Sequence, residues 1–125
     1  MISQIYIKNY ALISELNLSI EDGLTSITGE TGAGKSILLG AIGLALGKRA
    51  DLQVLKDKDK KCIIELTASL KGLNLVSFFK HHELDYLEET ILRREILPSG
   101  RSRAFINDTP VKANTLNDLG GRLVD

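Results

Sequence analysis

The chain has 125 residues, which is enough for one compact domain with a buried core. It carries 16 Lys and Arg against 16 Asp and Glu, so its overall charge excludes wholesale attraction to nucleic acid or to an anionic membrane. The single cysteine, Cys62, excludes an internal disulfide and favours a reducing, cytoplasmic setting.

No segment has the pattern of a membrane span. The N-terminus, MISQIYIKNYALISEL, carries polar residues throughout and lacks the apolar core of a signal peptide. The longest apolar stretch, residues 37–46, is shorter than a bilayer-spanning helix and is interrupted by glycines. We therefore expect no membrane partner.

Alternating hydrophobicity predicts two β-strands at the start of the chain. Residues 5–7 and 16–20 alternate between apolar and polar side chains, which predicts antiparallel strands joined around residues 9–10. A turn at 21–23 and a short strand at 24–28 lead into a glycine-rich loop. The following ILLGAIGLALG has no alternation, so it predicts a buried helix that ends at Gly47.

The second half of the chain predicts mostly strands. The mixed-charge run KDKDKK is typical of a solvated loop. Beyond it we predict strands at 62–70, 90–96 and 102–107, a short helix at 75–84, turns at 98–100 and 108–110, and a last helix at 115–123. Asn114 or Thr115 is the expected cap of that helix. This order predicts an α/β core with an attached antiparallel β-layer.

The glycine-rich loop, GETGAGKS, has the spacing of a P-loop. Without Cβ atoms its glycines let backbone N–H groups approach a phosphate, Lys35 would reach the β- and γ-phosphates, and the Ser36 hydroxyl would ligate Mg²⁺. The alternative is an ordinary glycine turn, but the flanking strand and helix favour the P-loop. The predicted ATP site comprises Gly29, Glu30, Thr31, Gly32, Ala33, Gly34, Lys35 and Ser36, with Ser36 as the metal ligand and no catalytic residue.

Segments at both ends of the chain resemble one family. IYIKNYALI, ELNLSIEDGLTSITG, GETGAGKSILLGAIGLALGKRAD and SGRSRAFIN are similar to the RecN family of bacterial DNA repair proteins, in the SMC-like branch of ABC-type ATPases. The resemblance covers essentially all of the chain but only the N-terminal part of such a protein. We therefore expect residues 1–125 to be part of an ATPase head that ends before the coiled coil. Gly40, where relatives often have Asp, and Asp108, where many have Gly, depart from the pattern.

The resemblance implies a P-loop NTPase fold and a set of partners. These are ATP with Mg²⁺, the C-terminal half of the same head, a second head in a homodimer, and DNA at the nucleoid during double-strand-break repair and recombination. The family places its signature motif, Walker B acidic residues and switch histidine beyond a segment like RLVD. We therefore expect the whole protein to be an ATPase and this chain to bind Mg-ATP without turnover.

Two other interpretations stay open. A small P-loop kinase usually begins almost directly with its P-loop strand, whereas here two strands come first. An interaction module would use a basic patch around one predicted hairpin, formed by Arg93, Arg94, Arg101 and Arg103. We favour four solvated arginines that are partly balanced by Glu88, Glu89 and Glu95.

Overall fold

Six strands of the computed structural model, which describes residues 1–20 and 32–123, form one sheet. They are β1 (Ile2–Tyr10), β2 (Ile13–Ser19), β3 (Cys62–Ser69), β4 (Glu89–Ile96), β5 (Ser102–Ile106) and β6 (Thr109–Val111). The helices are α1 (Gly32–Ala45), α2 (Val76–His81) and α3 (Ala113–Leu123), with a short 3₁₀ turn at Leu52–Val54. The two antiparallel strands predicted at the start of the chain and those predicted in its second half are thus confirmed. The first two strands are joined at residues 11–12 and not around 9–10, because β1 continues through Tyr10. The predictions at 21–23 and 24–28 lie outside the described residues.

Every strand pairing in the described sheet is antiparallel, in the order β2-β1-β3-β4-β5-β6. Because side chains alternate across a strand, cross-strand partners share a face. One face carries an apolar row of Ile5, Leu66, Leu92 and Ile106, and the other carries Tyr6, Glu65, Arg93 and Phe105. The sheet is therefore amphipathic.

All three helices cover the apolar face. Along α1, five buried side chains (Leu38, Ala41, Ile42, Leu44 and Ala45) pack with β1 and β3. In the second cluster, Phe79 of α2 and Leu116 and Leu119 of α3 pack against β4 and β5. Among the described residues, no helix is long and apolar enough to cross a membrane.

The turn predicted at residues 108–110 is wrong in its position. The chain turns at Asn107 and Asp108, whose φ angles of 48° and 70° are left-handed, and Thr109 already belongs to β6. Asn and Asp tolerate this region better than most residues with a Cβ, which explains how Asp108 fills a position that favours Gly. Pro110 misled the prediction, because it lies in a short edge strand where a missing N–H is tolerated.

The cap predicted for the last helix is also wrong. α3 begins at Ala113, and the carbonyl of Lys112 accepts hydrogen bonds from the backbone N–H groups of Thr115 and Leu116. Lys112 therefore occupies the capping position, and Asn114 and Thr115 lie inside the first turn.

Candidate phosphate-binding site

The predicted P-loop residues meet the described structure at the start of α1. Residues 32–36 form its first turn, whereas Gly29, Glu30 and Thr31 lie outside the described residues. Lys35 and Ser36 are exposed, and the first turn contains no acidic residue. The first N–H groups of a helix lack intrahelical partners and carry a positive partial charge. An anion at this end would thus meet donors and a lysine, with no carboxylate on that turn to oppose it.

The opposite end of α1 closes at Gly47, as predicted. The N–H of Lys48 donates to the carbonyl of Gly43 at 3.0 Å, and the N–H of Gly47 donates to that of Leu44 at 3.1 Å. This is the hydrogen-bond pattern of a Schellman motif, and Gly47 has the left-handed φ of 100° that the motif requires. A Cβ on Gly47 would lie 2.5 Å from the backbone nitrogen of Asn117, so the helix end also packs closely on α3.

Arg94 of β4 binds the same helix end. It is 2% exposed, and its Nη1 donates to the carbonyls of Leu44 at 3.0 Å and Lys48 at 2.7 Å, while Nη2 donates to Ser102 Oγ at 3.1 Å. A cation is favourable beside the negative end of a helix dipole. Burial lowers the pKa of Arg94 from its ordinary value, yet a guanidinium remains protonated. Arg94 therefore joins the P-loop helix to the sheet.

Gly40 lies where α1 meets the end of β1. A Cβ at this position would stand 2.5 Å from the Tyr10 hydroxyl oxygen. An Asp here, as the resembling family often has, would have to displace Tyr10. The glycine at position 40 thus leaves room for the neighbouring side chain of Tyr10.

Arg94 lies buried on the helix-covered face of the sheet. For this residue both predictions, a basic patch and a set of solvated arginines, are therefore wrong. Arg93 and Arg103 lie on the other face and pair with Glu95, at 2.6 Å and 2.8 Å. Arg93 also contacts Glu65 at 3.0 Å, and Lys61 lies 3.7 Å from Glu95. Within the described ranges only Arg101 of the four stays exposed with no recorded ion pair. The four arginines therefore do not form one basic patch.

Glu95 is the centre of this ion-pair cluster and is 4% exposed. Burial opposes its ionisation, but the hydrogen bond from Arg93 and the three neighbouring cations outweigh burial and lower the pKa of the carboxyl below its ordinary value of 4.5. A carboxyl whose pKa is lower in the folded state stabilises the fold above its unfolded pKa and loses that contribution as the pH falls through the folded value.

We therefore expect acid to weaken the fold partly through Glu95. The free energy of unfolding of the wild-type chain should fall between about pH 5 and about pH 3, and the Glu95→Gln variant should show a flatter dependence. Urea unfolding across this range measures both. Glu88→Gln, which changes an exposed carboxylate, should retain the wild-type slope. Parallel curves for the wild type and Glu95→Gln would contradict the lowered pKa.

A buried asparagine organises the charged loop at residues 56–61. Asn9 has a left-handed φ of 59° and is 6% exposed. Its Nδ2 donates to the carbonyls of Asp57 at 3.0 Å and Lys60 at 2.9 Å, and its Oδ1 accepts the N–H of Asp57 at 2.7 Å. The loop is exposed, as predicted, but its backbone is fixed by one side chain of β1.

The sequence contains a signal for the buried position of Arg94. Leu92, Arg94 and Ile96 alternate, so Arg94 occupies an inward position of β4, where a charged residue needs buried partners. No such signal exists for Asn9, because its partners lie 48 to 52 residues further along the chain.

Cys62 is fully buried at the start of β3, where its free thiol packs as a small apolar side chain. Burial raises the pKa of its thiol to about 12, so the reactive thiolate is scarce at neutral pH.

Relatives of known name match the whole chain. DNA repair protein RecN of Vibrio cholerae is 40% identical over 126 residues, which covers 100% of this chain and 23% of that protein. RecN of Bacillus subtilis is 37% identical over 127 residues, which covers 100% of this chain and 22% of that protein. The chain thus spans less than a quarter of the length of these relatives.

Solved SMC heads share the fold. A chain from a study of ATP-driven dimerisation and DNA-stimulated activation of SMC ATPases superposes with a TM-score of 0.73 at 18% identity, over 98% of this chain and 78% of that one. An SMC head domain from Thermotoga maritima gives 0.61 at 18% identity, over 94% of this chain and 41% of that one. The predicted α/β P-loop NTPase fold with an antiparallel sheet is confirmed.

A family model described as an AAA domain matches residues 4–82, which is more than half of the chain. The RecN resemblance predicted from the two ends of the sequence is confirmed, and the chain belongs to this AAA-domain family.

Proposed function

We propose that this chain binds Mg-ATP at the N-terminus of α1 and serves as the ATP-binding part of a RecN-like ATPase in DNA double-strand-break repair and recombination. The observation that carries the proposal is that residues 32–36 of the GETGAGKS motif open a long helix, with Lys35 and Ser36 exposed on a turn free of acidic residues. Phosphate binding needs this combination of N–H groups, dipole and cation.

The eight residues 29–36 have separate roles in the proposal. Backbone N–H groups of the loop and first turn bind the phosphate oxygens, Lys35 neutralises the β- and γ-phosphates, and Ser36 Oγ offers a ligand to Mg²⁺. The metal, when bound, neutralises charge between the phosphates. The buried side of α1, Arg94 and the turn at Gly47 hold the helix against the sheet.

The wider parts of the proposal rest on the relatives. The proteins named RecN are DNA repair proteins, and the SMC study concerns ATP-driven dimerisation and DNA-stimulated activation. We infer that heads of this kind form a homodimer around ATP, interact with DNA at the cytoplasmic nucleoid, and need the C-terminal half of the head for hydrolysis. An acidic residue that positions water is required for turnover, and the P-loop pattern assigns that role to none of residues 29–36.

Titration with a fluorescent ATP analogue in the presence of Mg²⁺ tests the nucleotide site. Lys35→Ala should weaken binding at least about tenfold, because a charge-assisted contact to phosphate is worth more than about 1.4 kcal/mol. Ser36→Ala should reduce the gain in affinity that Mg²⁺ gives over EDTA. Lys80→Ala removes an exposed lysine from α2 and should bind as the wild type does. Equal affinity of Lys35→Ala and wild type would contradict the proposal.

Product analysis separates the ATP-binding proposal from a kinase. The chain alone should release little or no phosphate from ATP over many minutes. Steady turnover that Lys35→Ala abolishes would show that this chain carries its own hydrolytic residues. Transfer of the γ-phosphate to an added nucleoside or nucleotide would instead favour the small P-loop kinase.

A further inference from the structure

Five lysines line one open cleft of about 650 Å³ beside the end of β1. We call it the lysine cleft; its lining comprises Lys8, Asn9, Ser14, Glu15, Lys56, Asp57, Lys58, Lys60 and Lys61. All five lysines are exposed residues. Lys8 comes from β1, and the other four come from the loop that Asn9 fixes, so the chain brings together charges some 50 residues apart in sequence.

The carboxylates of the cleft are already engaged. Glu15 Oε2 accepts the Tyr6 hydroxyl at 2.7 Å. The side chain of Asp57 accepts the N–H of Asp59 at 2.9 Å and lies 3.9 Å from Lys60. The lining thus carries five lysines and two occupied carboxylates, although the whole chain has no net charge. Two further carboxylates lie outside the lining: Asp59 on the same loop and Glu95, which pairs with Lys61. Five lysines still exceed these four carboxylates, so the local charge stays positive.

The loop is also pre-organised for a ligand. The carbonyls of Asp57, Lys60 and Lys61 all accept hydrogen bonds from Asn9 Nδ2. Lys56 donates to Ser14 Oγ of β2, and Lys61 pairs with the buried Glu95. A ligand would thus find the backbone of the loop already ordered, and binding would cost less entropy than on a free loop.

We propose that the lysine cleft binds the phosphate backbone of duplex DNA. The proposal rests on the function proposed above and gives its DNA partner a place on this chain. Among the described residues, no aromatic side chain lines the cleft for a base to stack on. Lysines bind phosphates as point charges without reading sequence. The cleft therefore fits the repeated charges of a backbone and not one nucleotide, and binding should be independent of sequence and strongly dependent on salt.

A triple variant of three cleft lysines tests this surface. Lys8, Lys58 and Lys60 are changed together to Ala, and Lys56 and Lys61 are kept because they hold the loop. The matched control changes Lys71, Lys80 and Lys112 to Ala, which removes the same charge from exposed positions elsewhere. Binding of a fluorescein-labelled 40-base-pair duplex is measured across a salt series, with thermal unfolding to confirm that both variants fold.

The cleft variant should lose about tenfold or more in DNA affinity at 100 mM salt, and its salt slope should fall by about 2 to 3, since each phosphate contact contributes about 0.9. The control should stay within about twofold of the wild type. Equal losses in both variants, an unchanged cleft variant, or a wild-type chain that binds polyglutamate as tightly as DNA would overturn the proposal.

Mg-ATP titration of the same proteins keeps the two proposals apart. The cleft variant should bind Mg-ATP as the wild type does. If neither protein binds Mg-ATP while the cleft variant alone loses DNA affinity, the proposal for the nucleotide site is wrong and the proposal for the lysine cleft is supported. If both proteins bind Mg-ATP and have equal DNA affinity, the proposal for the lysine cleft is wrong and the proposal for the nucleotide site is supported.

Discussion

Replacing Arg94 with Met should lower the free energy of unfolding by about 3 kcal/mol, because the change removes a buried, charged donor from three hydrogen-bond acceptors. The carbonyl of Lys48 loses its donor at 2.7 Å, and the end of α1 loses the cation beside its negative pole. Removing the guanidinium also recovers its desolvation cost, and Arg94 Nε has no partner among the described residues, which limits the loss. Urea unfolding of the two proteins measures the difference.

Arg101→Met is the matched control for this prediction. Arg101 is exposed and has no recorded hydrogen bond from its side chain in the described part of the chain, so the change should cost less than about 0.5 kcal/mol. Arg94→Met should also weaken Mg-ATP binding, since the proposed phosphate-binding turn is the other end of the same helix, about 20 Å from the end that Arg94 binds. An Arg94→Met protein as stable as the wild type would mean that the desolvation cost of the guanidinium equals the stabilisation from its hydrogen bonds.

Replacing Asn9 with Ala should cost about 3 to 4 kcal/mol, of which the left-handed φ of 59° accounts for about 1 to 2. The remainder comes from the N–H of Asp57 and the carbonyls of Asp57 and Lys60, which lose their partner. The loop at 56–61 should become mobile, so DNA affinity at the lysine cleft should fall as well. Urea unfolding and hydrogen exchange of the loop give the two readouts.

Asn74→Ala separates the two contributions. Asn74 has a φ of 55° but is exposed, and its side chain makes no recorded hydrogen bond in the described residues, so this change carries the backbone cost alone. Its expected loss is about 1 kcal/mol. If Asn9→Ala and Asn74→Ala lost equal stability, the bonds from Asn9 to the loop would contribute nothing.

Local patterns predicted those elements whose determinants are close in sequence. Residues of β3 alternate between buried and half-buried along its whole length, and its predicted span of 62–70 differs from the observed strand by one residue. Gly47 ends α1 because a left-handed helix end favours glycine wherever the helix lies. The P-loop signal is equally local, since the motif and the helix that follows it are adjacent in sequence.

The features that depend on distant partners could not be predicted in the same way. Arg94 binds carbonyls 46 and 50 residues earlier, and the lysine cleft forms only because β1 pairs with the strand that follows the charged loop. A count of charges along the chain gives neither arrangement. The arginines of the hairpin do not act as one group, because strand alternation places Arg93 and Arg94 on opposite faces.

Hydrogen exchange of the chain with and without Mg-ATP reports directly on whether residues 29–36 bind the phosphates. If residues 29–36 bind the phosphates through their backbone N–H groups, saturating Mg-ATP should slow exchange in peptides covering 29–36 and leave those covering 71–84 unchanged. The Lys35→Ala variant should lose this protection at the same nucleotide concentration. Saturable binding of Mg-ATP that protects another part of the chain and leaves 29–36 unaltered would show that the nucleotide binds elsewhere.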